Sequence, residues 1–368
     1  MNTARTTLLL FCVLALLTAA CGGGDEPEPV VSATPTVTAV PVPAFTPTPT
    51  PTPTPSEGGP TYPLTGEEVT DETRLTLPAL GVKVDNAPQA RPQLGLQDAD
   101  VVFEELVEGG VTRFLAIFHS TDPGEVGPVR SGRDVDADLF PPFDGILAIS
   151  GAAAPTYNVL FSAGLTVFEE GQAGGAIHRV ADRSAPHNLN ATATQLWDAG
   201  DEQPAATEPW PFDATPPTGG EPVTTILAPF SDDYSHSWAW REAEGVFERG
   251  QNGTRHLTAD GSQIAAANIV YAEVETGSGG GVDVSGSATV SIELIGGGEA
   301  TFYRDGQRFE GTWRKTARDA QFEWLDARGQ PFPLAPGATW VELQPAGLGQ
   351  QVDVADVSAD APTEEPTE

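Results

Sequence analysis

The placement of arginine asks for an explanation first. The 368-residue chain holds sixteen arginines and only two lysines, Lys83 and Lys315, and five of the arginines fall between Arg113 and Arg183. A guanidinium presents a planar fork of donors that grips a carboxylate or phosphate through two bonds, which an ammonium cannot do. In Gly127-Pro128-Val129-Arg130-Ser131 the pattern predicts a short helix over Arg133–Leu139 with Ser131 as its N-cap. An anion there would meet Arg130 together with free backbone donors. Arg130 has a second reading, as an ion-pair partner of Glu104 or Glu105 that leaves Ser131 only a capping role.

Glu104 and Glu105 are consecutive on a predicted strand, so they point to opposite faces and cannot act as a pair. At most one of them faces a shared cleft, and a carboxylate on such a strand needs a partner, for which Arg113 on the returning hairpin strand is the obvious candidate. Which one stays open, because Val101-Val102-Phe103 is apolar on both faces and reads as a strand buried on both sides. His187-Asn188 completes the cluster, the imidazole as a general acid or base near neutral pH and the amide as an orienting donor. A lone histidine is more often a structural residue. The candidate catalytic pair is therefore His187 with Glu105, and the candidate ligand-binding set is Arg113, Arg130, Ser131, Arg133 and Asn188.

Other chemistries find less support. Ser131, His187 and a carboxylate from Glu104, Glu105 or Asp85 could compose a hydrolase triad, but no Gly-x-Ser-x-Gly elbow surrounds Ser131. Asp134-Val135-Asp136-Ala137-Asp138 opens like a calcium loop, yet Leu139 and Gly145 stand where the glycine and the closing glutamate belong. The five histidines are scattered, so no metal site and no cofactor is expected. Tyr234, His236, Trp238 and Trp240 alternate along one strand, which suits either a sugar-stacking face or, in the plainer reading, the core of a sheet domain.

These residues need a scaffold. Leu80–Val84, Val101–Val107, Thr112–His119 and Ile146–Ser150 read as strands, with a hairpin turn at Gly109-Gly110, and Thr156–Ser162 as a helix. After a Pro/Thr/Gly-rich boundary at 204–221 nearly everything reads as strand: Tyr234–Arg241, Ile269–Val274, Ala288–Leu294, Ala300–Tyr303, Gly311–Lys315, Gln321–Leu325 and Thr339–Leu343. The expected fold is α+β, with a mixed α/β domain over 71–203 followed by a mainly antiparallel β domain over 222–346.

Both cysteines, Cys12 and Cys21, sit at the front, so the folded body has neither disulfides nor cysteine metal sites. An apolar run at Leu8–Leu17 follows Arg5, and Ala19-Ala20-Cys21-Gly22 resembles a lipobox. Residues 1–20 are read as a lipoprotein signal peptide and Cys21 as the acylated residue that anchors the chain to the membrane, with palmitate-type chains. A plain secretory signal is the alternative. From 21 to 70 the chain is rich in Pro and Thr, with Thr-Pro alternation from Thr46 to Pro55, and is expected to be a disordered tether of on the order of 100 Å. Residues 347–368 read as an acidic disordered tail. The formal charge of −34 argues against a nucleic-acid partner.

Several motifs in order carry a family resemblance. Val82-Lys83-Val84-Asp85-Asn86, Ala99-Asp100-Val101-Val102-Phe103-Glu104-Glu105, Thr112-Arg113-Phe114, Gly127-Pro128-Val129-Arg130-Ser131-Gly132-Arg133 and Ala185-Pro186-His187-Asn188-Leu189 resemble the N-terminal half of the YerB-like lipoproteins. Phe247-Glu248-Arg249, Ala267-Asn268-Ile269-Val270, Gly311-Thr312-Trp313-Arg314-Lys315 and Leu334-Ala335-Pro336-Gly337-Ala338-Thr339-Trp340-Val341 resemble its C-terminal half. The match spans Pro78 to Pro345. It implies a two-part lipoprotein on the extracytoplasmic face of a bacterial membrane and leaves the activity open. One reading is a module that binds an anionic cell-wall component or an envelope protein. The other is a hydrolase or transferase acting on wall glycan or peptide through a carboxylate and His187.

Overall fold

The computed structural model describes residues 59–353, apart from 233 and 283–286. The expected signal peptide, Cys21, the Thr-Pro repeat and residues 354–368 lie outside the described residues. Strand dominates and helices are few and short.

The first half is built on β1 (Leu80–Asp85), β2 (Val101–Leu106) and β3 (Thr112–Phe118). β2 and β3 form the expected hairpin, and Gly109 and Gly110 turn it at φ +76° and +73°, a conformation that glycine adopts without a Cβ clash. β1 pairs antiparallel with β3 and parallel with Ile146–Ala148, which in turn lies parallel to Thr166–Phe168. Between those last two runs helix α2 (Ala154–Ser162), so this is a βαβ crossover.

The second half extends the same sheet. Thr339–Pro345 lies parallel to β2 on one side and to Asn268–Val282 on the other. Gly296–Arg304, Gln307–Lys315 and Glu323–Asp326 continue outward in antiparallel order. Twelve strands from both halves thus share one sheet among the described residues. A smaller sheet, built around Thr225–Pro229, Ser235–Arg241 and Val246–Gln251, covers one face.

Alternation sorts side chains between two cores. Val101, Phe103, Leu115 and Ile117 pack on one face, and Val82, Val84, Val102, Phe114 and Ala116 on the other. Both faces of β1, β2 and β3 are buried, as the continuous apolar runs imply. Tyr234, His236 and Trp238 are buried and Trp240 is partly so, hence this strand contributes core and not an open aromatic face.

Three boundaries differ from expectation. The segment 204–221 is packed and not free, with Trp210 buried and its indole N–H donating to the Phe322 carbonyl at 3.0 Å. Folded structure begins before residue 71, since Tyr62 and Leu64 are buried and Thr61 bridges Glu68. At the other end Gln351–Asp353 pairs with Thr225–Leu227, so the first residues of the expected tail belong to the smaller sheet.

Candidate functional site

β1 and Ile146–Ala148 are parallel neighbours from which the sheet continues in opposite directions, β3 and β2 on one side and Thr166–Phe168 on the other. The carboxyl ends of neighbouring parallel strands are the usual ligand position in open α/β sheets, and here the segment around Arg130 is laid between them. Arg130 donates its amide to the Lys83 carbonyl at 2.8 Å and accepts from the Ser150 amide at 2.9 Å, while Gly132 N–H reaches the Gly151 carbonyl at 3.0 Å. Backbone pairing to both strands therefore fixes where the Arg130 side chain starts.

Asp85, the last residue of β1, organises this end of the sheet. Its Oδ2 lies 2.9 Å from Arg130 Nε and 2.6 Å from His187 Nδ1. His187 Nε2 has no hydrogen-bond partner among the described residues, and its side chain keeps 18% exposure. Arg113 and Arg133 both donate to the Ser131 carbonyl, at 3.1 and 3.4 Å. Both also approach Glu108, whose Oε2 is 4.0 Å from Arg113 Nη2 and 2.6 Å from Arg133 Nη2. Burial first, and then the charges of Arg133 and Arg130, lowers the Arg113 guanidinium to about 10. Three arginines thus crowd one another with two carboxylates to balance them.

Beneath this layer Lys83 Nζ sits 2.5 Å from both Glu105 and Asp136, all three fully buried. Burial lifts the Glu105 carboxyl to about 7 against the pull of Lys83. The register sets Glu105 opposite Arg113, as expected, but its ion pair is with Lys83. Glu105 is thus part of the floor, and the carboxylate that touches His187 is Asp85. Ser131 is not an N-cap: the helix α1 (Asp136–Leu139) is a single turn capped by Val135, and Asp136 Oδ2 takes up the Arg133 N–H at 2.7 Å. Ser131 Oγ faces Ser150 Oγ at 3.4 Å and does not bond His187. Asn188 turns aside, accepting from Arg179 at 2.8 Å and donating to the Val180 carbonyl at 3.3 Å.

Glu104 points the other way, into a buried polar network between the halves. Arg249 Nη2 donates to Glu104 Oε2 at 2.6 Å and to Tyr234 Oη at 3.0 Å. Although burial opposes it, the Arg249 charge holds the Glu104 carboxyl down to about 2. Burial and the Glu104 charge push Glu342, its neighbour across the parallel pair, well up. Glu104, His236 and Glu342 bring ligand atoms within 4.8 Å of one another, but Arg249 already supplies the positive charge there, its Nη2 2.6 Å from Glu104 Oε2. The donor set suits an internal ion pair and not a cation. Apart from the family motif Phe247-Glu248-Arg249, nothing local in the sequence marks Arg249, whereas an aspartate closing a buried strand was a readable sign of Asp85.

The fold and this cluster define a strand-rich, two-part protein with three arginines converging where β1 and Ile146–Ala148 end. Residues 64–206 match the N-terminal domain, and residues 226–341 the C-terminal domain, of a protein family of unknown function, DUF3048. The putative lipoprotein YerB of Bacillus subtilis (strain 168) is 29% identical over 321 residues, which is 80% of this chain and 88% of the relative. The crystal structure of YerB from Bacillus subtilis superposes with a TM-score of 0.70 at 25% identity, covering 80% of this chain and 99% of that one. The chain belongs to this two-part, YerB-like lipoprotein family. Among the described residues no helix is long and apolar enough to cross a membrane.

Proposed function

We propose that the protein is a lipid-anchored module on the extracytoplasmic face of the cell membrane that binds an anionic ligand of the envelope between Arg113, Arg130 and Arg133. The lipobox at Cys21 and the lipoprotein relative support the anchor. The βαβ crossover supports reading the first half as a mixed α/β unit that presents the site, with the β-rich second half as its support. The observation that carries the binding reading is the convergence of three arginines at the carboxyl ends of β1 and Ile146–Ala148, in a chain of charge −34. Guanidinium groups held that close repel one another, and an incoming anion relieves the repulsion. The net negative charge disfavours long polyanions at a distance and favours a small ligand with one anionic group.

The test is calorimetric titration of the full chain in detergent with inorganic phosphate. Arg130→Lys keeps the charge and loses the fork, and is expected to weaken binding by about 1–3 kcal/mol. Unchanged affinity would remove Arg130 from the binding set.

A second reading, hydrolysis or transfer on wall glycan or peptide, is favoured by one contact. Asp85 on His187 Nδ1 orients the ring as a general base whose free Nε2 could take a proton from water. Release of soluble fragments from purified wall material, followed by mass spectrometry, tests it.

A further inference from the structure

We propose that the anion bound at the arginines is the phosphate of a sugar, whose ring lies against an aromatic pair on helix α2; the proposal rests on the anion-binding reading above. The second lobe of the site starts where the crossover strands end. Ile146–Ala148 leads to Gly151, and Thr166–Phe168 leads to Glu169, so both residues reach the same edge of the sheet as Asp85. Gly151, at φ +127°, leaves room that other residues would fill. A Cβ built there lies 3.4 Å from Tyr157 Oη and 3.7 Å from Glu169 Oε2. Tyr157 comes from the first turn of α2 and donates its hydroxyl to Glu169.

Phe161 follows one turn later and stacks on Tyr157, with centroids 5.7 Å apart and planes at 15°. At 58% exposure it is the most exposed large apolar side chain among the described residues. Tyr157 is half-buried against the core, and the exposed Phe161 ring stacked on it suits a partner that is apolar on its face and polar at its edge. A sugar ring has that form: its C–H face packs on the rings and its hydroxyls bond carboxylate oxygens.

The two lobes are joined at both ends. On one side Ser131 Oγ meets Ser150 Oγ, next in sequence to Gly151. On the other, Glu170 binds Arg179 at 2.6 Å and Arg179 binds Asn188, the neighbour of His187. The rim therefore closes from Asp85 round to Glu169 and back, placing anion-binding and aromatic groups on one perimeter. Asn188, which turns away from the arginines, is accounted for as a strut of this rim.

The experiment compares three probes on the full chain in detergent: inorganic phosphate, glycerol 3-phosphate and glucose 6-phosphate. Glucose 6-phosphate is expected to bind about tenfold tighter than glycerol 3-phosphate, which carries the same anion without a ring. Phe161→Ala should abolish that advantage and leave inorganic phosphate binding unchanged, and Phe161→Trp should keep it. Equal binding of the two organic phosphates, with inorganic phosphate still bound, overturns the sugar proposal alone. So does self-association of the chain that Phe161→Ala removes while no sugar preference is seen. Failure of all three probes to bind overturns the anion-binding reading and this proposal with it.

Discussion

Replacing Arg249 by Met tests what holds the two halves together. In the wild type Arg249 pairs with Glu104 at 2.6 Å, donates to Gln251 at 2.8 Å, and lies 4.9 Å from the Trp340 ring and 5.4 Å from that of Phe114. Methionine retains much of the apolar stem but leaves Glu104 as a buried carboxylate without its counter-charge, at a cost of about 3–5 kcal/mol. Gln251 keeps Asn86 and His256 keeps Gln93, so the loss centres on Glu104. At roughly 2–4 °C per kcal/mol for a body of this size, the melting temperature falls by about 6–20 °C. Adding Glu104→Gln removes the stranded charge, so the double variant is expected to be less destabilised than the two single changes summed, by more than about 1.5 kcal/mol.

The acid limb supplies a sign check. Glu104 titrates near 2 when folded against an ordinary 4.5, so its stabilisation is present above 4.5 and fades as pH falls toward 2. Without Arg249 burial is left to dominate, and acidification from 7 to 4.5 should stabilise the variant. Urea denaturation at several pH values measures this. A single variant within about 1 kcal/mol of wild type, or additive effects in the double variant, would refute the reasoning.

Three further outcomes are expected. Burial raises Asp100 from 3.8 to about 6, so it costs stability as pH rises through that window, and Asp100→Asn should flatten up to about 3 kcal/mol of the decline in denaturation curves between pH 4 and 6. If wall fragments are released by the wild type, His187→Gln should cut the rate by roughly 10²–10⁴-fold with phosphate affinity retained, and a variant that only melts earlier would sink catalysis by this residue. Cys21→Ser should abolish incorporation of labelled fatty acid, and persistent label would refute the anchor assignment.

Strands whose buried positions are mostly apolar were legible, and one whose buried positions are mostly polar was not. Leu80–Val84 was expected and Leu80–Asp85 is found. Val246–Gln251 was missed because its inward positions are Phe247, Arg249 and Gln251, which erases the apolar alternation that identifies a strand. At the site, the clustering of Arg113, Arg130 and Arg133 was visible from composition, but their partners were not. Glu105 and Asp85 exchanged roles because side-chain alternation sends both to one face and only the three-dimensional position of Lys83 decides which of them is covered. Ser131 was misread as a cap because capping preference describes an isolated helix end, and here Asp136 serves that need from inside the turn.

The parallel joint between β2 and Thr339–Pro345 also fixes when the molecule can be finished. Val101 pairs with Thr339, so β2 keeps one bare edge during synthesis until nearly the whole described chain has emerged. A bare strand edge is a template for unwanted pairing, and long-range parallel pairing is slow to form. Maturation is therefore gated by the arrival of the last long strand. A chain stopped just before Thr339 would not be a shortened version of the protein, since it would lack the piece that seals the first half to the second.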